Sequence, residues 1–245
     1  MNNTAVIILA GGDGKRMNSD VPKVMHLLHG KPLIDHVVSQ VEQNDIKPVV
    51  VVNSKHTLVQ DYLQDRAEYV VQHEQLGTGH AVKVTSALLK DRQLEQIVVL
   101  YGDMPFVSAQ TIEQLISKQR GNSATIVLAT CMVEHFEGKF SAFKFFSRIV
   151  RDEFGKIIKD VQIQDATNEE LQIREINASF YCFDATWLWE YLKKLQTNNN
   201  QKEYYLTDLI AMAVEEGKNV ESISVDSQEA YGITTAEDLE MAHDI

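Results

Sequence analysis

Short apolar runs alternate with segments of helical spacing along the first half of the chain. The first run, residues 6–10, ends in a glycine-rich stretch and is typical of a buried strand. The other predicted strands are 48–53, 69–71, 97–101 and 124–131, and the predicted helices are 32–43, 56–66, 78–90 and 108–120. Because strands and helices take turns, we predict an α/β fold with a doubly wound, mostly parallel, Rossmann-like sheet.

The second half of the chain breaks this alternation. Residues 148–152 and 157–162 predict a hairpin around a turn at Phe154-Gly155. The remaining predictions are strands at 176–183 and 220–225 and helices at 185–195, 205–216 and from about 235. No linker or internal repeat is visible. We therefore expect one domain over residues 1–245, with a small antiparallel insertion at about 140–200.

The composition mainly excludes some classes of protein. The 245 residues are 44% hydrophobic and carry a formal net charge of −12, which argues against a broad basic face for nucleic acid. No apolar run approaches the roughly 18 residues that span a bilayer, and the first residues lack a signal-peptide pattern. Cys131 and Cys182 stand alone in apolar strands, as reduced core residues do. We expect a cytoplasmic protein with small-molecule partners, neither nucleic acid nor membrane.

The glycine-rich stretch after the first strand is the leading candidate for chemistry. Gly11, Gly12 and Gly14 allow a tight turn whose N–H groups can approach a ligand closely. The spacing fits neither the dinucleotide nor the P-loop fingerprint, so an ordinary turn is about as good an explanation of the glycines alone. An ordinary turn has no need of the nearby cations Lys15, Arg16 and Lys23. Together they favour a phosphate-bearing nucleotide.

Two further segments follow predicted strands. Gln72 precedes Gly77-Thr78 at the start of a helix, and its amide could pair with O4 and N3–H of uracil. Taken alone, that segment is more typical of a helix cap than of a base-binding site. Asp103 follows the strand at 97–101, where a carboxylate can hold Mg²⁺ against phosphate oxygens or can cap a turn. The glycine loop beside it favours the metal.

Taken whole, these segments resemble one family. Leu-Ala-Gly-Gly-x-Gly-x-Arg-Met-x-Ser-x-x-Pro-Lys, from Leu9 to Lys23, resembles the signature loop of sugar-nucleotide pyrophosphorylases. Gln-x-x-Gln-Leu-Gly-Thr-Gly-His-Ala, from Gln72, is similar to the uracil-contacting loop of bacterial N-acetylglucosamine-1-phosphate uridylyltransferases. That family joins UTP and N-acetylglucosamine-1-phosphate into UDP-N-acetylglucosamine and releases pyrophosphate, with Mg²⁺. We expect this nucleotidyltransferase activity here.

The resemblance assigns roles residue by residue. It implies catalytic Arg16 and Lys23 and metal-binding Asp103 and Thr234. The nucleotide-binding residues it implies are Leu9, Ala10, Gly11, Gly12, Gly14, Gln72, Gly77 and Thr78. The sugar-binding residues it implies are Tyr101, Gly102, Ser147, Gln162, Asn177 and Tyr205.

The chain also departs from the family pattern. Ser147 replaces a glycine, Gln162 a glutamate and Thr234 an asparagine, and the acetyltransferase β-helix of the bifunctional members is absent. We therefore expect no acetyl transfer, and the oligomeric state stays open. The altered sugar half leaves two alternatives: a nucleotidyltransferase for another sugar phosphate or nucleoside triphosphate, or a non-catalytic protein that binds UDP-sugar.

Overall fold

The strongest apolar runs form the middle of one sheet. The computed structural model describes residues 3–12, 14–17 and 19–245. Within these residues the main sheet has nine strands, and seven of them run in the order β11-β7-β10-β6-β1-β4-β5. These seven are β1 (Thr4–Leu9), β4 (Val49–Asn53), β5 (Glu68–Gln72), β6 (Gln96–Tyr101), β7 (Ile126–Met132), β10 (Glu175–Asp184) and β11 (Val220–Ser224).

Strand direction follows the prediction, with one exception. Strands β6, β1, β4 and β5 pair in parallel, as do β7 and β11. Strand β10 lies antiparallel between β6 and β7. The predicted hairpin, β8 (Arg148–Arg151) and β9 (Ile157–Val161), joins the sheet where Arg148 pairs with Ile176 of β10. A separate two-stranded sheet of β2 (Leu27–Leu28) and β3 (Lys31–Pro32) was not predicted.

Helices cover both faces of the sheet, which confirms the doubly wound prediction. They are α1 (Leu33–Glu42), α2 (Leu58–Leu63), α3 (Thr78–Val84), α4 (Ser86–Leu89), α5 (Ala109–Asn122), α6 (Ala185–Tyr191), α7 (Asp208–Glu215) and α8 (Ala236–Ala242). Successive β1 residues belong to opposite cores: Ile8 packs in the cluster that contains Val37 of α1, and Ile7 in the cluster that contains Leu209 of α7. A parallel strand buried on both faces has this continuous apolar sequence.

Several helices are shorter than predicted. The segment predicted as 56–66 is α-helical only at Leu58–Leu63, because Gln64 has φ +49° and a 3₁₀ turn follows at Gln64–Arg66. The segment 78–90 divides at Thr85, whose hydroxyl donates to the Val82 carbonyl at 2.7 Å. Helix α6 ends at Tyr191 rather than 195, and α7 begins at Asp208 rather than 205.

Other described features bear on single predictions. Cys131 and Cys182 are buried free cysteines, as expected, and burial raises the pKa of the Cys131 thiol to about 11. The described helices include none that is long and apolar enough to pass through a membrane. Short 3₁₀ helices lie at Lys15–Met17, Lys23–Met25, Gly138–Phe145 and Glu170–Gln172.

Candidate active site

The carboxyl ends of β1, β5 and β6 meet at a cleft, as expected for an open parallel sheet. One cavity there has a volume of about 320 Å³, and a second of about 530 Å³ adjoins it. The two share Gly12, Arg16, Lys23, Gln75 and Glu203. The first is also lined by Leu9, Ala10, Gly11, Val24, Gln72, Gly77, Thr78, Ala81, Tyr101 and Asp103, and the second by Gly14 and Thr234.

Two glycines of the loop after β1 lie where a side chain would be crowded. Gly14 has φ +62°, and a Cβ there would lie 3.1 Å from the backbone nitrogen of Lys23. A Cβ on Gly11 would lie 3.1 Å from the Gln72 Oε1 atom. Because these glycines have no side chains, the loop lies close against both β5 and the segment that carries Lys23.

The predicted catalytic cations and the predicted metal-binding residues lie together in this cleft. The Lys23 ammonium forms an ion pair with Oδ2 of Asp103, and both side chains are largely buried. Arg16 lines both cavities. The side chain of Lys15, the third predicted cation, lies outside the described part of the structure. The backbone carbonyl of Asp103 accepts the Ile233 N–H at 2.9 Å, which brings Thr234 to the same cleft.

Gln72 is held at the end of β5 with its amide nitrogen fully engaged. Its Nε2 donates to the Gly77 carbonyl at 3.3 Å and lies 3.0 Å from His80 Nδ1. Burial, with the nearby charge of Lys83, lowers the pKa of His80 below its ordinary value. Nε2 of Gln75 reaches the Gly11 carbonyl at 3.4 Å and so connects this segment to the glycine loop.

The helix start at Thr78 is fixed by a distant part of the chain. Gly79 N–H donates to the Tyr204 carbonyl at 2.7 Å, and Tyr204 N–H donates to Leu76 at 2.8 Å. The Thr78 hydroxyl accepts the Leu206 N–H at 3.0 Å. These bonds bring Glu203 into the cleft and hold residues 204–206 in a non-helical conformation, which explains the late start of α7.

The predicted sugar residues divide into two groups. Tyr101 lines the cleft, whereas Gly102, Ser147, Gln162, Asn177 and Tyr205 are not among the residues that line its two cavities. Asn177 is only 1% exposed, and its Nδ2 donates to Asp160 and, at 2.8 Å, to the Tyr181 hydroxyl. Its Oδ1 accepts the Ser179 N–H at 2.7 Å. The Asn177 amide is therefore engaged within the protein.

Asp160 is the centre of this second group. One of its oxygens accepts from Asn177, and the Ser147 hydroxyl also interacts with the carboxylate. Its Oδ1 atom is buried and accepts no hydrogen bond of good geometry from the described residues. Burial raises the pKa of Asp160 to about 7, although the Ser147 and Asn177 hydrogen bonds oppose the shift. Gln162 instead donates to the Thr207 hydroxyl at 3.1 Å.

Tyr101 interacts both with residues that line the cleft and with Asp160. Its hydroxyl hydrogen-bonds with Thr78, and the carboxylates of both Asp103 and Asp160 act on it electrostatically. Burial is the main reason why the pKa of Tyr101 lies above its ordinary range. Asp208 in α7 is a further acidic neighbour of Asp160, and burial together with the charge of Asp165 raises the pKa of Asp208 to about 6.

Sequence reasoning missed Gln75, Glu203 and Asp160 as site residues. Gln75 lies inside the family-like segment that begins at Gln72, and Glu203 lies two residues before Tyr205, to which the resemblance assigns a sugar contact. A sequence signal for both was therefore present. Asp160 gave no such signal, because a single acidic residue in a hairpin strand is common. Only its contacts with residues from β10 and the segment before β8 distinguish it.

Comparison with known proteins agrees with the geometry. The model of the family described as "MobA-like NTP transferase domain" matches residues 6–179. "Bifunctional protein GlmU" of Carboxydothermus hydrogenoformans is 43% identical, and the alignment covers 93% of this chain and 49% of that protein. The protein of the same name from Enterococcus faecalis is 38% identical, and the alignment covers 100% of this chain and 52% of that protein. The one from Desulfotalea psychrophila is 34% identical, and the alignment covers 98% of this chain and 70% of that protein.

Most of these curated relatives are thus about twice as long as this chain. Among solved structures, the inositol-1-phosphate CTP transferase from T. maritima superposes with a TM-score of 0.73 at 18% identity, covering 98% of this chain and 95% of that one. The 4-diphosphocytidyl-2C-methyl-D-erythritol synthase from Anaerococcus prevotii gives a TM-score of 0.68 at 15% identity, with 99% and 97% covered. At these identities the likeness shows a shared fold.

Proposed function

The chain belongs to the MobA-like NTP transferase domain family, and we propose that it transfers a uridylyl group from UTP to a sugar-1-phosphate. The acceptor proposed is N-acetylglucosamine-1-phosphate, and the products are UDP-N-acetylglucosamine and pyrophosphate. One observation supports this most strongly: the glycine loop, Arg16, Lys23, Asp103 and Gln72 line a single cleft. The resemblance of the segments that begin at Leu9 and at Gln72 to N-acetylglucosamine-1-phosphate uridylyltransferases supports the choice of UTP and this sugar. The relatives named GlmU, at 34–43% identity, support membership of the nucleotidyltransferases.

The reaction is a single in-line displacement. An oxygen of the sugar phosphate attacks the α-phosphorus of UTP, the bond to the bridging oxygen breaks, and pyrophosphate leaves with the electron pair. Arg16 and Lys23 stabilise the negative charge that grows on the α-phosphoryl and pyrophosphate oxygens. The substrate phosphates compete with Asp103 for the Lys23 ammonium. The loop of Gly11, Gly12 and Gly14 accommodates the triphosphate.

The residues at the cleft fit a divalent cation supplied together with substrate. Asp103 already binds the cationic ammonium of Lys23, and Thr234 brings a second oxygen to the same cleft. No group of three or more metal-ligating side chains exists among the described residues, so substrate phosphate oxygens and water would supply the remaining ligands, as is usual for Mg²⁺. Asp103 and Thr234 would hold the ion. Bound Mg²⁺ supplies neutralisation of phosphate charge.

Base and sugar are recognised at opposite ends of the cleft. Gln72, Gly77 and Thr78 contact the uracil side, with Leu9 and Ala10 beneath it. Tyr101 ends β6 and Gly102 follows it, and both lead toward the proposed sugar subsite. For that subsite we propose Ser147, Gln162, Asn177 and Tyr205, which lie outside the lining of the two cavities. A transferase for another sugar phosphate is the second candidate. The observation that favours it is the Asp160 network, which engages the Asn177 amide.

A substrate panel tests the proposal. Pyrophosphate release is measured with UTP, CTP, ATP and GTP against N-acetylglucosamine-1-phosphate, glucosamine-1-phosphate and glucose-1-phosphate, with Mg²⁺ and with EDTA. We expect Mg²⁺-dependent turnover that is highest for UTP with the N-acetyl sugar. Turnover with UTP and only another sugar supports the second candidate. Absence of turnover across the panel, with UTP still bound in calorimetry, contradicts catalysis.

A further inference from the structure

The amide of Gln72 has only one atom left for a ligand. Gln72 is 4% exposed at the end of β5, and its Nε2 is already close to the Gly77 carbonyl at 3.3 Å and to His80 Nδ1 at 3.0 Å. A primary amide nitrogen has two N–H donors, so both are used. The remaining atom, Oε1, lies 3.1 Å from the position of a Cβ on Gly11 and so points toward the glycine loop.

His80 helps to determine that the Oε1 atom of Gln72, rather than Nε2, points toward the glycine loop. Its Nδ1 can accept from Gln72 only while it carries a lone pair, which requires the neutral ring with the proton on Nε2. Burial and Lys83 lower the pKa of His80, while the backbone and carboxylate of Glu74 act in the opposite sense. Tyr204, from the segment before α7, is the neighbouring ring, 6.5 Å away between centroids. The neutral ring therefore prevails at pH 7.

We infer that His80 is a positioning residue, which fixes the Gln72 amide so that the cleft presents an acceptor to the base. This inference rests on the proposed function. Uracil carries N–H at N3 and donates to such an acceptor, whereas cytosine carries a lone pair at N3 and is repelled in the same pose. The expectation from sequence, that the amide both donates to O4 and accepts from N3–H, is thereby narrowed to the second contact.

The chain offers a matched pair of variants. In H80N the side-chain Oδ1 can take the place of Nδ1 and accept the Gln72 N–H. In H80F the ring volume is kept, but the acceptor is lost. The Gly77 carbonyl still holds one N–H in both variants, so we expect discrimination to weaken in H80F without vanishing. Binding of UTP and CTP is measured by calorimetry for each protein, and turnover with one sugar phosphate is measured alongside.

We expect H80N to keep the wild-type UTP/CTP preference and H80F to lower it by about tenfold, the scale of one hydrogen bond. The same preference should fall in the wild type, but not in H80N, as the pH drops through the lowered pKa of His80 and the ring becomes charged. Equal preference in the wild type and H80F contradicts the inference, as does a loss in H80N equal to that in H80F. If the wild type binds both nucleotides but turns over neither, the proposed function fails while the binding ratio still tests His80.

Discussion

The nucleotide side and the acceptor side of the candidate site are built differently. On the nucleotide side, the predicted residues line an open cleft, and Lys23 and Asp103 are paired there with part of their surface exposed. On the acceptor side, Asn177 and Ser147 interact with Asp160, which also acts electrostatically on Tyr101. In the proposed reaction, phosphate would meet groups that already line the cleft, whereas the sugar would be recognised through a buried network that is already formed.

The largest test of this contrast is Lys23→Ala. Loss of a cation at the developing charge should lower turnover by about 10²–10³-fold, as for other groups that stabilise a transition state electrostatically. Pyrophosphate release and thermal unfolding are measured together. Lys31→Ala is the control, because the Lys31 side chain is 63% exposed and its Nζ forms only a long ion pair, 3.9 Å from Oδ2 of Asp35. Turnover in the Lys23 variant close to that of the control would remove Lys23 from the reaction.

The second test concerns the backbone of the nucleotide side. Gly77 has φ +106°, and a Cβ there would lie 2.7 Å from the Tyr204 carbonyl oxygen. Gly77→Ala should lower the free energy of unfolding by about 2–3 kcal/mol, through left-handed strain and overlap with that segment. Gly121→Ala, in α5 with no atom within 4 Å of its Cβ position, should instead stabilise by about 0.5–1 kcal/mol. Equal unfolding midpoints for the two variants would show that the contact with residues 203–206 is not rigid.

These two sides also differ in how far sequence reasoning could reach. The cleft could be predicted because the glycine loop, the segment after Gln72 and the segment with Asp103 each follow an apolar strand, and parallel strands end at one edge of the sheet. The antiparallel placement of β10 depends on tertiary pairing, which no local pattern encodes. Helix starts such as that of α7 depend on distant hydrogen bonds, here from Leu206 to Thr78. Asp160 likewise becomes a candidate only through its tertiary contact with Asn177 of β10.

A third test asks which polar residue recognises the sugar. Gln162 already donates to Thr207, whereas the buried Oδ1 of Asp160 accepts no hydrogen bond of good geometry within the described part of the chain. At pH 8, above the pKa of Asp160, Asp160→Asn should lower kcat/KM for the sugar phosphate about 10–100-fold, because a hydrogen bond to a charged acceptor is lost. UTP affinity should be unchanged. Gln162→Ala should lower kcat/KM by a smaller factor, about threefold, because the Gln162 amide already donates to Thr207 and a neutral hydrogen bond contributes less. The reverse ranking would assign the contact to Gln162 and make Asp160 purely structural.

The smallest expected effect is a pH dependence of stability. Burial raises the pKa of Asp160 to about 7 in the folded protein, against 3.8 for an ordinary aspartate. Between these values the folded state holds a proton that the unfolded state has released, so stability is greatest at the acid end and declines as pH rises toward 7. Asp208, with a pKa raised to about 6, contributes in the same direction.

Thermal unfolding of the wild type and Asp160→Asn between pH 4.5 and 8 separates the two carboxylates. Because the amide cannot ionise, we expect the variant to lose a few degrees less than the wild type over this range, and Asp208 to account for the slope that is left. A parallel pair of curves would mean that Asp160 is ionised in the folded protein well below pH 7. The acceptor side would then hold a permanent negative charge, and the contrast with the cationic nucleotide side would be electrostatic as well as architectural.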